Sequence, residues 1–162
     1  ADSLGENIAY DDPGRDPSKI LDIARAAALD DTVESFPEGL DTILGERGVT
    51  LSGGQKQRTA LARGLIRESP ILILDDCFSA VDTETEERIL AGLKRVRNNS
   101  TTLLVSHRVS TARHADRILV LDKGEIQEIG THEELLQQGG FYAELEYSQR
   151  NLVNESSSKD AI

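Results

Sequence analysis

The sequence has no methionine, no tryptophan, one cysteine and only 4% aromatic residues. A single cysteine, Cys77, excludes an internal disulfide and fits a reducing compartment. Long apolar runs are also missing. The longest aliphatic stretch, Ile71 to Leu74, falls far short of the roughly 20 residues that a membrane-spanning helix needs. Positive charge is scarce, with 18 Lys and Arg against 29 Asp and Glu. The resulting net charge of −11 opposes broad attraction to nucleic acid or anionic lipid. No secretory signal or targeting tail is visible. Without methionine, Ala1 is not an initiator, which implies that the chain is processed, excised or a fragment of a longer polypeptide. What remains is a globular composition, 38% hydrophobic and 29% charged over 162 residues, ample for a buried core.

Residues 1–50 read as helix and loop without β alternation. Asp16 can cap a helix with Pro17 at its first position, and Ile20, Leu21, Ile23, Ala24, Ala27 and Ala28 form its apolar stripe. A short second helix is expected from Thr32, and Gly45-Glu46-Arg47-Gly48 reads as a loop. A helix is expected from Ser52 to about Arg67, then a buried strand at Ile71–Leu74. Apolar runs at Thr102–Val105 and Ile118–Leu121 follow helical segments at about Thr83–Val96 and Thr111–Ala115. This β-α-β-α-β rhythm predicts an α/β fold with a parallel sheet. Lys123-Gly124 turns into a hairpin partner, Glu125–Ile129, and Thr131 with Glu134 makes a capping box for a terminal helix. The expected organisation is a helical part over 1–69, a core part over 70–148 and a disordered tail over 149–162.

Two segments carry chemistry. In Leu51-Ser52-Gly53-Gly54-Gln55-Lys56-Gln57-Arg58, a serine and two glycines open a helix, so bare N–H groups and the helix dipole can meet an anion such as phosphate. The same residues also read as an ordinary N-cap, with Gln55 as the partner of Ser52. In Ile71-Leu72-Ile73-Leu74-Asp75-Asp76, two carboxylates close a buried strand, where open parallel sheets place ligands. Asp75 suits Mg²⁺, which keeps its water and takes few carboxylates, and Asp76 suits the attacking water. Two solvated acids ending a strand is the plainer alternative. Ser79-Ala80-Val81-Asp82 follow, then Thr83 with Glu86 as a capping box, then Leu103-Leu104-Val105 leading to Ser106-His107.

Together these segments resemble the second half of an ATP-binding cassette (ABC) nucleotide-binding domain, and the resemblance covers residues 1 to about 148. Leu51–Gln55 match the family's LSGGQ signature, Ile71–Asp75 its Walker B strand, Ser79–Asp82 its D-loop and His107 its switch histidine. Gly5-Glu6-Asn7-Ile8, Gly45–Gly48 and Gly130-Thr131-His132-Glu133-Glu134-Leu135 with Gly139-Gly140 are similar to segments of the exporter branch. The resemblance implies a helical signature subdomain followed by the second half of a RecA-like parallel sheet, with a C-terminal strand and helix. It implies ATP and Mg²⁺ as cofactors and a head-to-tail pair of domains. Ser52, Gly53, Gly54 and Gln55 would complete an ATP site whose P-loop lies on the partner. Asp75, Asp76 and His107 would serve the site on the chain's own P-loop, and Asp82 would reach across the dimer. The partners implied are a second nucleotide-binding domain and transmembrane domains acting through coupling helices, with no nucleic acid. The place implied is the cytoplasmic face of a membrane.

The sequence departs from that pattern twice. No G-x-x-x-x-G-K-[ST] occurs in it, so the P-loop is expected upstream and the isolated chain is expected to be inactive. Asp76 stands where the family usually has glutamate, and its carboxylate is retracted by about 1.5 Å. A misplacement of about 1 Å can cost about a hundredfold in rate. Exporters with two unlike halves often carry one such weakened site, so the resemblance favours a heterodimer with its degenerate site on this chain. Two rivals share part of the pattern: a non-transport ABC ATPase of DNA repair or translation, and a non-catalytic interaction module. His114 and His132 read as surface positions, Cys77 as a small core residue, and Arg58, Arg63 and Arg67 as a solvated helix face.

Overall fold

The structure, a computed structural model, describes residues 2–45 and 48–159. Two compact units divide after Val105, one covering Ala1–Val105 and the other Ser106–Ile162. The strands at Ile71–Asp75 and Thr101–Val105 fall within the first of these units.

In the first unit, Ser3 and Glu6 form a capping box on α1 (Leu4–Ile8). Asp16 caps α2 (Pro17–Ala26), with Pro17 at the first helical position as its fixed φ favours. α3 (Asp30–Ser35) begins two residues before Thr32 and is followed by a 3-10 turn at Gly39–Asp41. Next come α4 (Gly53–Leu65), β1 (Ile71–Asp75), α5 (Thr83–Val96) and β2 (Thr101–Val105). β1 and β2 pair in parallel from Ile71 opposite Thr101 to Asp75 opposite Val105. The buried Arg97 fixes where both strands begin, because its guanidinium donates to the carbonyls of Ser69 and Thr101.

One core holds this unit together, with Leu4 and Ile8 of α1, Ile23 and Ala24 of α2, Leu61 and Leu65 of α4, Leu72 and Leu74 of β1, and Ile89 and Leu93 of α5. The opposite side of the ladder is bare: Ile71, Ile73, Leu103 and Val105 are 58%, 67%, 53% and 52% exposed. Arg63 and Arg67 are not a purely solvated face. The Arg63 guanidinium lies 4.3 Å from the centre of the Tyr10 ring, and Arg67 donates to the Tyr10 hydroxyl at 3.2 Å.

α2 and α5 meet at Gly92, where a Cβ would lie 2.3 Å from the carbonyl oxygen of Ala26. Alanine ordinarily gains about 1 kcal/mol over glycine inside a helix, but here backbone must move, and overpacking costs about 1–3 kcal/mol. Gly92→Ala is therefore expected to destabilise the first unit by about 2 kcal/mol despite the propensity gain. Denaturant unfolding checks this, and an unchanged midpoint would contradict the close approach.

In the second unit, α6 (Val109–Ala112) precedes the antiparallel pair β3 (Ile118–Asp122) and β4 (Glu125–Gly130), then α7 (His132–Gln138) and α8 (Phe141–Lys159). The sequence rhythm expected β3 in the parallel sheet, yet among the described residues it bonds only to β4. The hairpin closes locally through Lys123 and Gly124, at φ 50° and 81°, which suits the twist of adjacent strands. Thr131 and Glu134 form the expected capping box on α7. Burial raises the Tyr142 hydroxyl above its ordinary range, and its oxygen lies 2.9 Å from Nδ1 of His132. α8 runs to Lys159, so the tail expected over 149–162 is helical over most of its length. No proline or glycine interrupts residues 141–159, and the Glu128 carboxylate accepts the first amides of the helix, those of Phe141 and Tyr142.

Candidate functional site

Ser52 opens α4 as its N-cap. Its Oγ accepts from the Gln55 amide at 3.2 Å, while Gln55 Oε1 accepts from the Ser52 amide at 2.9 Å. Gln55 Nε2 donates to the buried Thr32 at 3.4 Å, so both ends of this side chain are engaged within the fold. The capping box of Ser52 and Gln55 is thus present in the fold, and the anion reading concerns the same helix start. The amides of Gly53 and Gly54, at the positive end of a 13-residue helix, have no partner among the described residues. A Cβ on Gly53 would meet nothing within 4 Å, so an anion can reach the backbone there. Gly54 serves a different need: a Cβ on it would lie 2.8 Å from the Ala80 carbonyl oxygen.

Asp75 ends β1 opposite Val105, and the chain then turns sharply. Asp76 is left-handed at φ 46°, a conformation that aspartate tolerates better than most residues. Its amide donates to the Val105 carbonyl at 3.2 Å, and its carbonyl accepts from Ser79 Oγ at 3.2 Å. Both carboxylates are exposed at the C-terminal end of a parallel strand. This donor set fits Mg²⁺, which is held through one or two carboxylates together with water and phosphate rather than in a protein cage. Asp75 would bind such an ion, which would neutralise phosphate charge.

Cys77, half-buried in the same turn, has its thiol pushed up to about 11 by burial. It therefore stays protonated at neutral pH and is no nucleophile. Asp82, not Thr83, is the N-cap of α5: its carboxylate accepts from the Thr85 amide at 2.9 Å and from the Thr85 hydroxyl at 2.8 Å, which lowers its pKa. Glu86, expected as a capping partner, is buried instead.

His107 belongs to the second unit, in the loop before α6. That loop is gripped by Gln149 of α8, which donates to the His107 carbonyl at 2.8 Å and accepts from the Val109 amide at 2.9 Å. Sequence reasoning missed Gln149 because it ended the ordered chain at 148. Missed as well was Gln57, whose side chain reaches the turn after β1. Neither leaves a periodicity signal, since a lone glutamine on a helix reads as surface. Glu46 and Arg47 of the Gly45–Gly48 stretch lie outside the described residues.

An anion-ready helix start beside a strand ending in carboxylates is the layout of an α/β nucleotide-handling domain. The ABC transporter family profile matches residues 4–79. The chain is 50% identical over 140 residues to the mitochondrial potassium channel ATP-binding subunit of Xenopus tropicalis, covering 86% of this chain and 20% of that protein. It is 52% identical over 147 residues to the ATP-dependent lipid A-core flippase of Albidiferax ferrireducens, covering 89% and 25%. It is also similar to a solved structure of a bacterial Atm1-family ABC exporter with ATP bound, at 44% identity and a TM-score of 0.80, covering 91% of this chain and 26% of that one. The chain belongs to the ABC transporter family, as part of an exporter-type nucleotide-binding domain. It spans 20% to 25% of the length of the two curated relatives named. Among the described residues, no helix is long and apolar enough to cross a membrane.

Proposed function

We propose that this chain acts as the C-terminal part of an ABC exporter ATPase domain, on the cytoplasmic face of a membrane. There it couples ATP binding and hydrolysis at a head-to-tail domain dimer to transport of a substrate by transmembrane domains. The observation that supports this reading best is the half-site at the start of α4. Two amides and open space at Gly53 await an anion, while no P-loop motif occurs in the chain to hold the rest of a nucleotide. Ser52, Gly53 and Gly54 would dock the terminal phosphate of ATP held by the partner domain, with Gln55 keeping the cap in shape. Asp75 would hold Mg²⁺ and Asp76 would orient water at an ATP site whose P-loop is supplied from outside this chain, and His107, in the second unit, would take the role of γ-phosphate contact. Asp82 would contact the partner from the head of α5. Phosphoryl transfer needs such positioning and charge placement above all. The short carboxylate of Asp76 supports a partner of different sequence that carries the faster site.

A half-site cannot hold ATP alone. Calorimetric titration of the isolated chain, its helix content first checked by circular dichroism, is expected to show Kd above about 1 mM, weaker than about −4 kcal/mol. Micromolar binding by this chain alone would overturn the reading.

A further inference from the structure

Gln57 has a single side-chain amide, and the first unit uses all of it on one turn. Its Oε1 accepts from the Ala80 amide at 3.0 Å, and its Nε2 donates to the Asp76 carbonyl at 3.2 Å and to Ser79 Oγ at 3.1 Å. A second observation on the same helix points the same way, since a Cβ on Gly54 would lie 2.8 Å from the Ala80 carbonyl oxygen. α4 is therefore fitted to this turn twice, once by contact at its first turn and once by a three-bond clamp a turn later.

The held turn begins at Asp76, whose left-handed backbone at φ 46° is costly for a residue with a Cβ and persists only where neighbours fix both adjoining peptides. The Val105 carbonyl fixes the amide side, and Gln57 with Ser79 fixes the carbonyl side. Gln57 and Gln55 lie about 200° apart around the helix, so one glutamine shapes the anion-facing cap while the other grips the carboxylate turn.

We propose that Gln57 is a positioning residue for ATP hydrolysis, clamping the Asp76–Ala80 turn to the helix that begins at Ser52 so that the two move as one body. The assignment rests on the ATPase reading above. Because the clamp lies between the chain's contributions to two different ATP sites, releasing it lowers turnover whichever site dominates.

The test uses the complete protein that carries this chain. Gln57→Leu keeps the volume and removes all three hydrogen bonds. Hydrogen exchange in a peptide covering residues 76–82 is expected to quicken at least tenfold, while residues 59–65 of α4 keep the wild-type rate. ATP turnover should fall about tenfold with KM for ATP within twofold, because the groups that hold nucleotide are untouched. Gln57→Glu keeps the acceptor for Ala80 but sets a carboxylate against the Asp76 carbonyl. The ionised carboxylate has no proton to give the Asp76 carbonyl, so turnover of Gln57→Glu should fall at least as far as that of Gln57→Leu, again with KM for ATP within twofold. Unchanged exchange at 76–82 in Gln57→Leu would overturn the clamp. Quickened exchange with wild-type turnover in Gln57→Leu, or wild-type turnover in Gln57→Glu, would overturn the positioning role. A wild-type protein without ATP turnover would sink the ATPase reading, and the positioning role with it, while the exchange data would still report on the clamp.

Discussion

In the complete protein, Ser52→Arg is expected to lower ATP turnover about a hundredfold while nucleotide binding at the partner's P-loop stays within threefold of wild type. Removing a single preorganised donor from an oxyanion commonly costs about 10²–10³ in rate, and a guanidinium at Ser52 fills the space in front of Gly53 as well. The arginine also removes the N-cap, at about 1 kcal/mol, so the substitution alone confounds docking with helix stability. Ser52→Asp separates the two. Aspartate caps a helix as well as serine does, so its thermal midpoint should match wild type. Its carboxylate would nevertheless stand against the terminal phosphate, and turnover should fall as far as with arginine. Wild-type turnover in Ser52→Asp would reduce Ser52 to a capping residue and remove the trans geometry from the proposal.

Asp76 gives the second large effect. Asp76→Glu should raise hydrolysis at the site built on this chain's own strand β1 about tenfold or more, since the added methylene returns the carboxylate by about 1.5 Å. The gain has a structural cost of about 1 kcal/mol, because glutamate tolerates the left-handed backbone at position 76 less well than aspartate. Asp76→Asn is the cleaner variant, since asparagine suits that backbone and only the charge is lost. If an unlike partner carries the faster site, Asp76→Asn should change total turnover less than twofold. Single-turnover hydrolysis by the three versions decides. Near-complete loss with Asp76→Asn would make Asp76 a working catalytic carboxylate and end the unlike-partner reading.

Elements with local causes were legible in the sequence. The Asp16-Pro17 start of α2, the Ser52 and Thr131 capping boxes, strand β1 and the Lys123-Gly124 hairpin all stand where their own residues dictate. The Asp82 cap was misplaced by one residue because Thr83 and Asp82 are both good caps and only the Thr85 contacts distinguish them. Long-range facts were not legible. Tyr10 reaches Arg63 and Arg67 across more than fifty residues, and among the described residues β3 pairs with β4 alone. At the candidate site, sequence motifs pointed to the residues proposed to face ligand, but not to Gln57 and Gln149, which hold the neighbouring turns. An amide's role depends on which backbone groups come within about 3 Å of it, and nothing in the neighbouring residues records that.

The bare side of the β1–β2 ladder bears on how this chain behaves as a colloid. Four large aliphatic side chains stand at least half exposed on a two-stranded sheet, a surface that invites a second copy to stack on it. The net charge of −11 opposes the approach of two copies in dilute buffer. That barrier reaches about 10 Å at 0.1 M salt and only about 3 Å at 1 M, while the apolar attraction does not fade in the same way. Acid removes it too, since protonating carboxylates erases the repulsion at its source. For this chain on its own, dilute, mildly alkaline and salt-poor conditions are therefore expected to favour dispersal, and salt or acid to weaken the repulsion that guards the apolar face, as light scattering would report.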